Sequence, residues 1–322
     1  MTIVAGIDEA GLGPVLGPLV VGATAWALPD DLVDVSLWKL LAGAVSKKPS
    51  KRKGLVAIAD SKKLYGGQRN DDLRLLERGV LATLAGANWR FGSLREFVRH
   101  VCPSAAGQLG AYPWYSHDDP ALPVSLTPTD VALAGNSLGV AMNRAGCALR
   151  AARAECVFEN EFNRLVTASN NKSASLFDIT CRLVMFLWEQ FATQDLRVFV
   201  DRQGGRMHYL PALERVFEGS RFVILEENDL VSAYRIEYGP RRMEIHFAVE
   251  CEQRHLPVAL ASMICKYTRE MFMGLLNRFW ASHVSDLAFT GGYYSDGWRF
   301  LKDIAPAVQK LGLDLKSLHR WR

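Results

Sequence analysis

The sequence contains no pattern typical of a disulfide-rich, zinc-binding or membrane-spanning protein. Its six cysteines are scattered, with no Cys-x-x-Cys pair and no histidine at zinc-binding spacing. We expect them to be small buried residues in a reducing compartment. No run of about 18 uninterrupted apolar residues occurs, and no charged leader precedes an apolar segment at the N-terminus. We therefore expect a cytoplasmic protein.

Strong net charge, internal repeats and low-complexity tracts are also absent. The net charge is only +4, which permits a nucleic-acid partner without requiring one. With 322 residues and 49% hydrophobic content, the chain can bury a large core. We expect a globular protein with one large domain, or with one domain and an elaboration.

Two adjacent carboxylates, Asp8 and Glu9, follow the first apolar run of the chain. The β-branched residues within 2–7 predict a buried strand that ends at Asp8. Residues 11–18, GLGPVLGP, forbid a helix and predict a tight turn before a second strand over residues 19–27. An ordinary hairpin turn is one reading of the acidic pair. A functional site is the other, because charge among apolar residues is costly without a partner and glycines admit a ligand to the backbone.

The segment from Gly6 to Ala23 resembles the first motif of ribonuclease HII, the type 2 ribonuclease H. That motif reads roughly G-[IV]-D-E-[AV]-G-R-G-P-x-x-G-P-x-V-x-A, and Leu12 stands where the family usually has Arg. A second stretch, DSKKL at residues 60–64, matches the family's D-S-K-K-L. Because ammonium groups bind phosphate as point charges, its lysine pair suits a nucleic-acid backbone.

Later segments extend the resemblance in the family's order. The predicted strand over residues 197–201 resembles the family's V-D-G motif, whose Asp supplies a metal ligand, with Arg202 where Gly is usual. The run ASMICKYTRE at 261–270 resembles the family's A-A-S-I-x-A-K-x-x-R-D helix. Counted back from Ser262, the family's fourth acid falls at Glu252. Glu250 is the alternative, because alternate residues of a strand share a face.

The resemblance implies a site in which four carboxylates are both catalytic residues and metal ligands: Asp8, Glu9, Asp201 and Glu252. Such acids would repel each other strongly without cations. Ligation by oxygen alone favours Mg²⁺ or Mn²⁺, and a two-metal site suits phosphodiester hydrolysis. The expected substrate contacts are Gly11, Leu12, Gly13, Ser61, Lys62, Lys63, Ser262, Lys266 and Tyr293. Tyr293 is the better match to the family's sugar-packing Tyr in K-G-Y, and Tyr294 is the alternative. The amides of Gly11 and Gly13 could bind a 2′-hydroxyl.

By resemblance, the fold is α/β, with a ribonuclease H-like mixed β-sheet flanked by helices and a helical C-terminal part. We expect a single domain over residues 1–322, with insertions at about 90–154 and 206–247. The implied activity is hydrolysis of the RNA strand of RNA/DNA hybrids, giving 5′-phosphate and 3′-hydroxyl ends. The partner would be a hybrid or a ribonucleotide-containing duplex, with no membrane involved. Because Leu12 replaces the arginine that reads the ribose–deoxyribose junction, cleavage at single ribonucleotides does not follow from the resemblance. The alternatives are a nuclease for another nucleic acid and a non-catalytic hybrid-binding protein.

Several further elements are predicted from local patterns. Helical spacing predicts helices over residues 30–45, 68–84 and 129–153. Lysines and arginines between residues 47 and 54 predict a solvated basic loop. The interleaved Arg and Trp of residues 316–322 are compatible with nucleic-acid binding or with a frayed terminus.

Overall fold

The computed structural model describes residues 1–50, 54–65 and 72–321, which form nine strands and thirteen α-helices. The strands are β1 (Thr2–Ala10), β2 (Leu19–Leu28), β3 (Val45–Ser46), β4 (Val56–Ala57), β5 (Ala148–Val157), β6 (Leu196–Asp201), β7 (Arg221–Glu227), β8 (Val231–Tyr238) and β9 (Arg241–Ala248). The helices are α1 (Leu37–Leu40), α2 (Ser61–Leu64), α3 (Arg74–Gly86), α4 (Leu94–Val101), α5 (Pro103–Ala106), α6 (Pro113–Ser116), α7 (Pro128–Ala145), α8 (Glu159–Ser169), α9 (Lys172–Phe191), α10 (Leu210–Val216), α11 (Cys251–Arg254), α12 (Leu256–Ala281) and α13 (Tyr294–Lys310).

The main sheet has seven strands in the order β5-β2-β1-β6-β9-β8-β7. β1 pairs antiparallel with β2 and parallel with β6, and β6 pairs parallel with β9. Strands β3 and β4 form a separate two-stranded parallel pair. Two hydrophobic cores are built from the opposite faces of this sheet, as alternate residues of β1 show: Val4 belongs to one core and Ile3 to the other. The predicted mixed sheet, flanked by helices and followed by a helical C-terminal part, is confirmed.

Helix α12 packs directly against β1 and β2 because glycines face it. A Cβ atom at Gly6 would lie 2.2 Å from the backbone nitrogen of Val258. A Cβ atom at Gly22 would lie 2.7 Å from the sulfur of Cys265. These two glycines therefore set how closely the helix approaches the strand that carries Asp8. Helix α9 covers the other face and contributes Ile179 and Leu183 to the second core.

The structure corrects three local predictions. β1 continues past Asp8 to Ala10, because Asp8 pairs with Gly22 and Glu9 with Val21. The helix predicted over 30–45 is wrong: this stretch holds a 3₁₀ turn at Asp30–Leu32 and the short helix α1, where the buried Trp38 donates to the Ile58 carbonyl at 2.8 Å.

The helix predicted over residues 129–153 is correct only in its first part. Gly146, at φ 64°, ends α7 in the left-handed conformation, and the chain then enters β5, which pairs with β2. Pairing along the sheet has overridden the helix propensity of an Ala- and Arg-rich stretch. The start of the helix predicted at 68–84 lies outside the described residues, as do residues 51–53 of the basic loop.

The two segments predicted to be insertions hold helices and strands of the main sheet, and their status as insertions stays a prediction. Helices α4–α7 occupy most of residues 90–154, and β5 occupies the rest. Residues 206–247 hold α10, the β7–β8 hairpin and most of β9.

Other sequence expectations also have structural outcomes. All six cysteines are buried and free. Within the described ranges, no helix combines the length and apolar character needed to cross a bilayer. Fraying of the tail is wrong as far as the structure describes it, because Leu318 and Arg320 are buried.

Candidate active site

The acids approach each other because β1 and β6 are parallel neighbours. The register pairs Ile7 with Val200, so Asp8 and Asp201 lie at the same end of adjacent strands. Glu252 reaches this end from α11, which follows β9, the next strand of the sheet.

These elements enclose a cleft of about 320 Å³. Its lining residues are Asp8, Glu9, Ala10, Gly11, Leu12, Gly13, Pro14, Asp60, Ser61, Lys62, Tyr65, Asp201, Glu252, Ser262, Lys266, Arg269 and Tyr293. The structure therefore brings together every predicted site residue except Lys63. The chemical roles assigned to these residues stay predictions.

Burial and mutual repulsion raise the pKa values of the two acids of β1. Asp8 is 9% exposed, and its Oδ1 accepts from the backbone N–H of Glu9 at 2.7 Å. Loss of hydration raises the pKa of Asp8 well above its usual value, and the charges of Glu9 and Asp201 raise it further. Burial, followed by the charge of Asp201, raises the pKa of Glu9 to about 7, although Lys62 opposes this.

Asp201 and Glu252 line the same cleft. The backbone N–H of Cys251 donates to Asp201 Oδ1 at 2.9 Å, while burial raises the pKa of this carboxyl. Burial and the charge of Asp201 raise the pKa of Glu252 to about 7. Glu250, the alternative fourth acid, is exposed at the start of α11 with φ 51° and does not line the cleft.

The donor atoms of the cleft fit a hard divalent cation in kind. All four acids offer only oxygen, and Glu252 Oε2 is buried without a hydrogen-bond partner in the described structure. Among residues 1–50, 54–65 and 72–321, however, no three His, Cys, Asp or Glu side chains are gathered closely enough to hold one ion. A bound cation would have to draw these carboxylates together against their repulsion.

Two serines and two lysines also line the cleft: Ser61, Ser262, Lys62 and Lys266. The hydroxyls of Ser61 and Ser262 lie 3.0 Å apart, and Ser262 hydrogen-bonds to the Asp8 side chain. Lys62 lines the cleft at the start of α2, whereas Lys63 is exposed outside it. The Lys266 ammonium donates to Glu270 at 2.8 Å, which fixes its direction on α12.

The glycine loop, residues 11–18, forms the rim of the cleft. Gly11 has φ 90°, and a Cβ atom there would lie 2.7 Å from Cδ of Arg269. A Cβ atom at Gly13 would meet open space, so the backbone is accessible there. Tyr293 lines the cleft and is 58% exposed, whereas Tyr294 lies outside the lining. Leu12 is half-buried against the second core.

The sequence patterns did not single out Asp60, Tyr65 or Arg269, which also line the cleft. Asp60 caps α2 by accepting from the Lys62 backbone N–H at 3.0 Å, and its charge raises the pKa of Asp201 after larger effects. Its position before Ser61 at a strand end, like that of Asp8, was an available signal. Tyr65 donates to Glu270 at 3.2 Å, and nothing in its local sequence indicated this long-range contact.

Comparison with known proteins gives structural neighbours only. No protein-family model and no curated protein matches the chain. One similar solved structure is Bst-RNase HIII in complex with Mn²⁺, with 15% identity and a TM-score of 0.47, covering 99% of this chain and 66% of that one. RNase HII from Archaeoglobus fulgidus, solved in complex with PCNA, has 15% identity, a TM-score of 0.44 and coverage of 99% and 94%. Ribonuclease H2 from Pyrococcus horikoshii OT3 has 14% identity, a TM-score of 0.45 and coverage of 100% and 94%. This chain thus spans about two thirds of the Bst-RNase HIII chain.

Proposed function

We propose that this chain is a divalent-metal-dependent endonuclease that hydrolyses the RNA strand of RNA/DNA hybrids and leaves 5′-phosphate and 3′-hydroxyl ends. The observation that carries this proposal is that acids from three distant segments, Asp8 with Glu9, Asp201 and Glu252, line a single cleft. Four carboxylates in one cleft, of which Asp8 is buried and the other three are partly exposed, repel one another, so a protein gains from such an arrangement when it binds cations.

In this proposal the acids of the cleft bind metal and the other lining residues bind substrate. Mg²⁺ or Mn²⁺, when bound, would activate a water molecule and offset the negative charge that develops on the phosphate and on the leaving 3′-oxygen. Asp8, Glu9, Asp201 and Glu252 would hold the cations, as one site or as a pair. Asp201 is already oriented by the Cys251 N–H, which limits its rotation.

The remaining lining residues would bind the substrate strand. Lys62 and Lys266 line the same cleft and could contact phosphates on either side of the scissile bond. The amides of Gly11 and of the more open Gly13 could bind the 2′-hydroxyl, the group that distinguishes RNA from DNA. Tyr293 is exposed at the rim, where its ring could pack on a sugar.

The first test compares wild-type protein with Asp8→Asn on a labelled RNA/DNA hybrid and on a duplex with one embedded ribonucleotide. Each reaction is run with Mg²⁺, with Mn²⁺ and with EDTA. We expect metal-dependent hybrid cleavage that falls by about a thousandfold or more in Asp8→Asn, since one ligand and its charge are lost. Cleavage of the second substrate shows whether Leu12 permits junction recognition.

A matched pair of variants tests the choice of the fourth acid. Glu252→Gln should lose activity as Asp8→Asn does, whereas Glu250→Gln should stay within about twofold of wild type, because Glu250 is exposed and does not line the cleft. If Glu250→Gln loses activity and Glu252→Gln keeps it, Glu250 is the fourth acid. Absence of hybrid cleavage with either metal would refute the proposal, and tight hybrid binding in EDTA would then favour a non-catalytic binding protein.

A further inference from the structure

The tail segment, residues 318–321, runs beneath the glycine loop instead of into solvent. Arg320 is only 2% exposed. Its backbone N–H donates to the Val15 carbonyl at 2.8 Å, and its Nη2 donates to the carbonyl of Pro14. One buried arginine thus binds two successive carbonyls of the loop that forms the rim of the cleft.

Side chains of helix α8 hold Arg320 in place. The side-chain amide of Asn163 donates to the His319 carbonyl at 2.9 Å and accepts from the Trp321 N–H at 2.7 Å. One side chain therefore holds the backbone immediately before and after Arg320. The guanidinium also lies over the ring of Phe162, 4.7 Å from its centroid.

The next carbonyl of the glycine loop is held by a second buried arginine. Nη2 of Arg269, on α12, donates to the Leu16 carbonyl at 3.2 Å and to the Gly291 carbonyl at 2.9 Å. The Gly292 carbonyl accepts from the N–H groups of Val15 and Leu16 at 2.8 and 3.2 Å. Three successive carbonyls, from residues 14 to 16, therefore accept from two buried arginines. The Pro14 and Leu16 carbonyls accept from guanidinium groups, and the Val15 carbonyl accepts from the backbone N–H of Arg320.

Stability alone does not account for a buried arginine at position 320. Burial lowers the pKa of Arg320 to about 9, since the charge is separated from water and Arg269 adds repulsion. Its Nε and Nη1 have no hydrogen-bond partner within the described part of the chain. A packed apolar side chain in place of such a charge is often neutral or stabilising. What an apolar side chain cannot supply is the directed hydrogen bond to Pro14.

We propose that Arg320 is a positioning residue, which fixes the glycine loop so that the amides of Gly11 and Gly13 face the cleft. The tail segment is then a working part of the substrate site, although Arg320 itself never touches substrate. Only the kinetic part of the test below rests on the nuclease function proposed above.

The structural test is amide hydrogen exchange on Arg320→Met, which keeps an apolar stem and removes the donors. Lys316→Met is the matched control, because it removes a cation from an exposed position shortly before the tail segment. We expect exchange over residues 11–18 to become about tenfold faster in Arg320→Met, with β1 and β6 unchanged and Lys316→Met like wild type. Unchanged exchange in the loop, or an equal increase throughout the protein, would overturn the proposal.

A conservative variant and a kinetic split complete the test. Arg320→Lys keeps the charge and one donor, so its loop should exchange at a rate between those of wild type and Arg320→Met. A rate equal to that of the Met variant would contradict the role of the donor.

In hybrid cleavage, Arg320→Met should raise KM about tenfold with kcat within about twofold, and the salt dependence of KM should stay as in wild type. A fall in kcat alone would contradict positioning of the substrate. If wild-type protein cleaves no hybrid, the nuclease proposal fails, while the exchange data still decide the role of Arg320.

Discussion

Removing a negative charge from the cleft should stabilise the metal-free protein. Glu9 is the best position for this test, because Gln has the same shape and the pKa of Glu9 has moved from 4.5 to about 7. At about 1.4 kcal/mol for each pKa unit, the ionised carboxylate opposes folding by up to about 3 kcal/mol. Gln carries no charge, so Glu9→Gln should be more stable than wild type by about 2 to 3 kcal/mol at pH 8 in EDTA.

The sign of the pH dependence follows from the raised pKa. Between pH 4.5 and about 7, the folded state keeps a proton on Glu9 that the unfolded state has lost. The stabilising proton is fully bound below pH 4.5, and stability falls as pH rises through 7. The stability difference between Glu9→Gln and wild type should therefore be large at pH 8 and small at pH 4.5.

Urea unfolding followed by tryptophan fluorescence measures this effect at both pH values, in EDTA and in Mg²⁺. Saturating Mg²⁺ should stabilise wild type at pH 8 and stabilise Glu9→Gln much less, because a ligand is missing. Glu189→Gln, at an exposed position on α9, is the control and should follow wild type throughout. If Glu9→Gln is less stable than wild type at pH 8 in EDTA, the reasoning about repulsion is wrong.

Two further predictions concern the helix that carries Ser262 and Lys266. Gly6→Ala should destabilise the protein by about 3 kcal/mol or more in urea unfolding, because its Cβ would lie 2.2 Å from the α12 backbone. Gly43 faces open space, so Gly43→Ala should change stability by less than about 1 kcal/mol. Glu270→Gln should lower the free energy of unfolding by about 2 kcal/mol, since the buried Arg269 and the nearly buried Lys266 both lose their charge partner. Asp303→Asn removes the partner of the more exposed Arg299 and should lower it by less than about 0.5 kcal/mol. Equal effects within either pair of variants would contradict these assignments.

The local pattern of the sequence was sufficient to predict a strand where a segment is short, apolar and bounded by small or polar residues. β1, β2 and β6 were predicted this way, and the first and last of these predictions placed Asp8 and Asp201 at strand ends. Only residues 261–270 of α12 were expected to be helical, and that expectation came from the resemblance. Residues 148–153 could not be predicted, because their helix propensity is reversed only by pairing with β2, which is remote in sequence. The same limit applies to Arg320. Its local surroundings are basic and polar, and only the tertiary contacts to Pro14, Val15 and Asn163 make it a buried residue.

The pairing of β1 with β6 also has a consequence for the evolution of this chain. Ile3 pairs with Leu196, so the acids at the ends of these strands meet across a very long intervening segment. The entropy of closing such a loop rises only logarithmically with its length, by about 0.6 kcal/mol for each doubling. Helices α4–α7 can therefore be carried within this segment at little thermodynamic cost, while the spacing of Asp8 and Asp201 depends on strand register alone. The edge of the sheet that carries the acids can stay constant while the chain between its parts grows, shrinks or acquires new surfaces.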